Sequence, residues 1–268
     1  MKLKQVSLSM LVSIFAFSAV AQEIKTIDSD AIIQKAISVE AELRMKIKDL
    51  VVDAEYIEGK LDDDGNFQEK LKFTKRIYRK IFPDTLWKHE EFLEFYDQGK
   101  LASEKEKNKA VKKWKKRKAK TANKHDLMFM LFPFYAENKE KYSFKYLGLN
   151  EKKVNGRLCH HFKVEALLEE KSLIHGDYYI EAEGFHLARV TFRPAKLVKK
   201  MMFKLHKLDM AIDYSPLTEE TWLPQKFEIT GKGKAALFFG VNFGGSEIFS
   251  NAIINGGIDD SMFEKTRK

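Results

Sequence analysis

Apolar residues at Ile32, Ile33, Ala36, Ile37, Leu43, Ile47 and Leu50 recur largely at helical spacing, with Ser29 or Asp30 placed to cap the start. This predicts a helix over about residues 29–46. Beyond it the period shortens to two. Val52, Ala54 and Tyr56 run to Gly59 as a strand, and Asp62-Asp63-Asp64-Gly65-Asn66 reads as a turn. Leu71, Phe73, Ile77 and Ile81 alternate with Lys and Arg on the way back, and Leu86 to Tyr96 is a further strand closed by Asp97-Gln98-Gly99-Lys100. A dense apolar run at His125 to Tyr135, broken by Pro133, comes before a second series. Tyr142 to Tyr146 opens that series, Asn155-Gly156 turns it, and His160 to Leu167 returns. Tyr178 to Glu181 and Leu187 to Phe192 flank a turn at Glu183-Gly184. Leu208, Met210, Ile212 and Tyr214 alternate up to a turn at Ser215-Pro216. Trp222-Leu223-Pro224 leads into Phe227 and Ile229, and Gly231-Lys232-Gly233 reads as a turn into Leu237 to Phe243. About ten strands at this spacing predict an α+β chain, mainly β: one curved antiparallel sheet with helices on one face.

The N-terminus has a different pattern. Lys2 and Lys4 precede an apolar stretch, Val6 to Val20, diluted by four Ser, and Ala19-Val20-Ala21 is a small-x-small cleavage signature. This layout predicts a secretory signal peptide, residues 1–21. A membrane anchor needs about 20 apolar residues, and this stretch is shorter and polar-flecked. No Cys follows the signature, so lipidation at the new N-terminus is not expected. The expectation is an exported, periplasmic chain, soluble after cleavage near Ala21, with residues 22–268 as one domain.

Composition narrows the picture only slightly. Hydrophobic residues are 44% and charged residues 32%, and 21 Phe argue against disorder. A single Cys excludes an internal disulfide framework and a Cys-rich zinc module. The formal net charge is +9, and residues 100–124 alone hold 12 basic and 2 acidic residues, so one segment makes the chain basic. Its centre is Lys112-Lys113-Trp114-Lys115-Lys116-Arg117-Lys118. A block of like charge predicts a solvated loop or Lys-rich insertion. In an exported chain its natural polyanion is an anionic membrane surface, with Trp114 suited to head-group depth. Nucleic acid is not an expected partner. The candidate docking residues are Lys112, Lys113, Trp114, Lys115, Lys116 and Arg117.

Chemistry-bearing motifs are sparse. There is no Gly-x-Ser-x-Gly elbow, phosphate loop or His-Glu-x-x-His. Asp62, Asp64 and Asn66 start like a calcium loop, but Phe67 stands where that loop needs Gly. Cys159-His160-His161 is the one dense group of ligand types, and on a strand only Cys159 and His161 share a side. A plain strand with a buried thiol is the expectation. Glu90-Glu91 and Glu169-Glu170 read as solvated faces. No catalytic residue, metal or cofactor is expected, and the chain is read as a non-enzyme.

A curved sheet capped by helices can enclose an apolar cavity instead of a solid core. Aromatics at strand positions (Phe73, Trp87, Phe92, Phe144, Phe192, Phe203, Phe227) and the run at 127–135 are compatible with either. Tyr178-Tyr179-Ile180-Glu181, Val190-Thr191-Phe192, Met210-Ala211-Ile212-Asp213-Tyr214 and Thr221-Trp222-Leu223-Pro224 follow in order after a helix and a first strand series. This succession resembles the periplasmic lipoprotein-carrier superfamily, the LolA, LolB and RseB-like proteins. The resemblance spans most of residues 22–268 and rests on strand patterns, not on a catalytic signature; the segment 100–124 lies outside the pattern. It implies an open antiparallel half-barrel with an N-terminal helix and a helical lid, holding an acyl chain or lipoprotein. It implies Phe129, Leu131 and Phe132 as lid residues by their place in that order; Phe73 and Trp87 are candidate lipid contacts as aromatics at strand positions. The alternative is an envelope interaction module with a solid core and no cavity.

Overall fold

The computed structural model describes residues 28–62, 64–82, 85–121, 128–197, 199–200, 203–235 and 239–264, without side chains at 117–121 and 199–200. The signal-peptide reading of residues 1–21, Leu127, Leu237 and the tip of the turn at Asp63 lie outside the described residues. The chain opens with α1 (Ser29–Lys46) and continues through β1 (Asp49–Leu61), β2 (Phe67–Ile81), β3 (Leu86–Asp97) and the short β4 (Lys100–Leu101). α2 (Glu104–Thr121) and two 3-10 turns, Phe132–Phe134 and Ala136–Lys141, come next. The second series is β5 (Tyr142–Leu149), β6 (Cys159–Ala166), β7 (Ile174–Glu181), β8 (Leu187–Pro194), β9 (Lys199–Lys200), β10 (Phe203–Thr218), β11 (Thr221–Ala235) and β12 (Phe239–Ile254). A last 3-10 turn spans Asp260–Phe263.

Among the described residues all strands join one antiparallel sheet in the order β4-β3-β2-β1-β12-β11-β10-β8-β7-β6-β5, with β9 on β10. The two series meet where β1 pairs with β12, so the first hairpin is tied to the last strand. The end strands β4 and β5 lie at opposite ends of that path, so the sheet is an open half-barrel. Directly opposed residues share a face. One row therefore crosses the sheet from β5 to β3: Tyr146, Phe162, Tyr178, Val190, Ile212, Phe227, Glu247, Tyr56, Phe73 and Phe95. This row marks the covered, concave face.

Local chemistry explains several boundaries. Asp28, not Ser29 or Asp30, caps α1: its carboxylate accepts from the backbone N–H of Asp30 at 3.0 Å and of Ala31 at 3.3 Å. The Lys-rich segment is an α-helix and not a loop. Ser103 and Glu106 form a capping box, with Glu106 Oε2 accepting from the Ser103 N–H at 2.9 Å and from its hydroxyl at 2.7 Å. Lys107, Ala110, Val111 and Trp114 then make an i, i+3, i+4, i+7 stripe that is half-buried, while the lysines between them face water. That stripe offsets the repulsion the composition foretold.

Two expected turns are strand instead. β10 continues through Ser215-Pro216 to Thr218, where Pro216 lies opposite Trp222. Gly231 and Gly233 lie inside β11, paired to Phe243 and Val241. A Cβ at Gly231 would stand 2.3 Å from the Phe243 ring, so the residue is glycine to admit that ring.

Candidate functional site

Three pieces cover the concave face. α1 presents Ile32, Ile33, Ala36 and Leu43 to it, all buried. The segment Met128–Phe134 lies fully buried beside α1. Met130, Leu131, Phe132 and Phe134 join the core of Phe162, Val164, Tyr178, Ile180, Val190, Phe192 and Ile212. Met128 and Phe129 join a second core of Leu50, Val52, Ala54, Ile77 and Leu223. Phe134 stacks on Phe144 at 4.9 Å and meets Tyr178 edge-on at 5.1 Å and Phe162 at 5.9 Å. The third piece is α2. Trp114 lies 4.7 Å from the Tyr56 ring and 5.0 Å from Phe73, which stacks on Tyr56 at 4.8 Å.

Sequence reasoning missed the residue that holds the apolar segment in place. Glu40 on α1 is buried and accepts the Leu131 backbone N–H at 3.3 Å and the Tyr135 hydroxyl. Arg44, one turn on, approaches Glu40 at 3.7 Å and lays its guanidinium 3.6 Å over the Phe129 ring. One helical face thus grips both ends of the run. Burial raises the Glu40 carboxyl above its ordinary value of 4.5, against the lowering pull of Tyr135, Arg44 and the Leu131 amide. A signal was available: Glu40 falls on the stripe Ala36, Leu43, Ile47, where helical spacing asks for an apolar residue.

Under α2 the floor is charged. Lys75 is 0% exposed and forms ion pairs with Glu247 at 2.6 Å and Glu90 at 3.0 Å, and Lys88 reaches Glu90 at 3.1 Å. Burial pulls the Lys75 ammonium down, but Glu247 and Glu90 outweigh it and hold it above its ordinary range. Glu90 therefore points into the sheet and not to solvent as its Glu-Glu neighbourhood suggested. A β-bulge between Thr74 and Lys75 sets Glu90 on the same face as Ile77.

The structure brings Phe129, Leu131, Phe132 and Phe73 to the concave side. Trp87 is not with them. It is paired with Lys80 while Arg79, its neighbour, pairs with Lys88 and Leu50, so Trp87 faces the opposite side. There Phe82 and Phe263 pack on it at 4.5 and 6.0 Å, and Lys80 holds the same C-terminal turn through Asp260 and the Ile258 carbonyl. Of the expected docking residues, Lys112, Lys113, Lys115 and Lys116 are exposed on α2, whereas the Trp114 ring turns inward to the sheet. Arg117 lies on α2, with its side chain outside the described residues.

A pocket of about 130 Å³ opens between Leu50, Val52, Met128, Leu223 and Phe249, with Arg79 on its wall. Small-molecule sites usually occupy about 300–1,000 Å³, so this space holds a fragment and not a lipid tail. In the Cys159-His160-His161 trio, burial and the nearby Glu181 push the Cys159 thiol up to about 11. His161 Nε2 bonds Asp177 at 2.8 Å and Tyr146 bonds His160 Nδ1 at 2.9 Å. Among the described residues no three His, Cys, Asp or Glu side chains gather as a metal site, and no helix is long and apolar enough to cross a membrane.

No protein-family profile matches the chain, and no curated protein matches it in sequence. Solved structures do. A DUF1329 family protein from Desulfovibrio piger is 10% identical, with a TM-score of 0.46 over 88% of this chain and 97% of that one. A putative outer membrane lipoprotein-sorting protein domain from Vibrio parahaemolyticus is 14% identical, with a TM-score of 0.39 over 87% and 98%. A LolA superfamily protein from Nitrosomonas europaea is 10% identical, with a TM-score of 0.35 over 90% and 99%. The open half-barrel itself is read from this chain's own register.

Proposed function

We propose that residues 22–268 form a single-domain, non-enzymatic binding protein of the cell envelope. It takes an acyl chain, free or on a lipoprotein, into the place that Met130–Phe134 fills. The observation that supports this reading is the covering itself. The apolar half of the concave face is closed by α1 and by a short segment ending in a 3-10 turn, the latter gripped through one buried carboxylate, and not by further strands. Such a segment can leave without breaking the sheet. Exposing the buried side chains of Met130, Leu131, Phe132 and Phe134 costs on the order of 8–10 kcal/mol. A tail of about a dozen methylenes recovers a similar amount at about 0.8 kcal/mol each. Near balance between plug and tail is what reversible carriage requires. The exposed lysines of α2, Lys112, Lys113, Lys115 and Lys116, are proposed to bring the protein to anionic membranes, each adding about 1 kcal/mol.

A second reading, an interaction module with a solid core, is favoured by the close packing of Met128–Phe134, which leaves only about 130 Å³ between Met128, Leu50 and Leu223. Native mass spectrometry of protein purified after expression of the full chain, with and without added fluorescent fatty acid, separates the two. Co-purifying or added acyl species in one-to-one adducts support the carrier. A clean apo mass with no uptake leaves the interaction module.

A further inference from the structure

Beyond Gly231 and Met210 the sheet narrows to a finger. β8 pairs with β10 only from Met210 to Asp213, and the pairing of β1 with β12 ends at Lys60 opposite Phe243. The described residues past those points, Phe203–Asp209, Gly231–Ala235 and Phe239–Asn242, project as three strands with β9 beside them. The seven residues of β10 in the finger span about 23 Å at ~3.3 Å per residue.

The two faces of the finger differ. Leu205, Gly231 and Gly233 are buried on one face. The other carries a ladder of cations, with Lys204 directly opposite Lys234 and Lys207 directly opposite Lys232. Like charges at opposed positions destabilise a sheet. Asp209 offsets one of them, pairing with Lys207 at 2.8 Å. At the end of the finger, opposite Ala235, Phe239 is 71% exposed. The ring lies on the face of Gly233 and the lysines on the other, so a finger that enters a lipid–water interface end-on satisfies both: phosphates relieve the cations on one face while the ring on the other leaves water.

We propose that this finger docks on an anionic bilayer, with Phe239 entering the head-group region and Lys204, Lys232 and Lys234 against lipid phosphates. The contact is separate from α2 and does not need the acyl site. The test uses Phe239→Cys labelled with an environment-sensitive fluorophore; Cys159, at 0% exposure, is protected from the label. Vesicles of phosphatidylglycerol and phosphatidylethanolamine should raise the label's emission severalfold, and all-phosphatidylcholine vesicles should not. Lys204→Glu with Lys232→Glu and Lys234→Glu should weaken vesicle flotation about a hundredfold. Changing Lys112, Lys113, Lys115 and Lys116 together to Gln should shift the titration to higher lipid concentration, and at saturating vesicles the emission rise should equal that of the wild type. Unchanged emission on vesicles that do carry the protein overturns the proposal. So does flotation of the triple Glu variant at wild-type level, or a finger that binds acidic protein and no vesicle. Fatty-acid uptake measured without vesicles should be the same in the finger variants, so failure of the carrier reading and failure of this one are told apart.

Discussion

The two halves of the concave face are built on the same strand geometry, and only one of them carries ions among its apolar side chains. On the β5–β8 and β10 side the floor is apolar, with Phe162, Val164, Tyr178, Ile180, Val190, Phe192 and Ile212 under Met130–Phe134. On the β1–β3 and β12 side the row continues into Glu247, with Lys75 and Glu90 beside it, under the inward ring of Trp114. A hydrocarbon tail is matched to the first floor. On the second it would strip water-like partners from buried ions, at a cost no methylene recovers. The difference teaches that the covering pieces are not equivalent: on the carrier reading proposed above the 3-10 segment is the exchangeable one, while α2 covers an ion cluster.

The largest effect tests the charged side. Lys75→Met leaves Glu247 and Glu90 facing each other without their shared cation, and removing one partner of a buried pair costs about 3–5 kcal/mol. Thermal unfolding should drop by on the order of 10 °C. A variant as stable as the wild type would show that water already screens the cluster, and the contrast between the halves would lose its physical basis.

Next comes Phe134→Ala. It deletes the ring between Phe144, Phe162 and Tyr178 and should cost about 3 kcal/mol. It should also raise uptake of a fluorescent fatty acid, because the competing ring is gone. Trp114→Ala, half-buried, should cost about 2 kcal/mol and leave uptake unchanged. Higher uptake in Trp114→Ala than in Phe134→Ala would reverse the assignment and place the tail on the charged side.

The sheet was legible because its signals are local. Alternation along Leu208–Tyr214 and the Asn155-Gly156 turn decide strands without help from distant residues. The faces were harder. Trp87 and Phe73 look alike in sequence, and only the register between β2 and β3 separates them. Gly231 and Gly233 carry turn chemistry, yet the ring of Phe243 uses Gly231 from the next strand. Lys75, Glu90 and Glu247 stand 15 and 157 residues apart, and Glu247 joins only because β12 pairs back onto β1. The α2 helix was hidden by its own charge, although the spacing of Ala110, Val111 and Trp114 was in plain view.

The smallest effect probes the grip on the exchangeable cover. Glu40 holds its proton to higher pH when folded than when unfolded, because burial raises it above 4.5. Between the unfolded value and the raised one the folded state binds more protons, so stability falls as pH rises through that window. Below 4.5 the penalty is absent, and above the raised value it is complete. Glu40→Gln keeps an acceptor for the Leu131 N–H, can donate its amide N–H to the Tyr135 hydroxyl oxygen, and cannot ionise. Chemical denaturation across that range should therefore show the wild type losing stability relative to Glu40→Gln as pH rises, then a constant offset. A difference that stays flat through the window, or grows in the wild type's favour, would mean that the carboxylate is solvated in the folded protein. The segment it holds would then be loosely seated before any tail arrives.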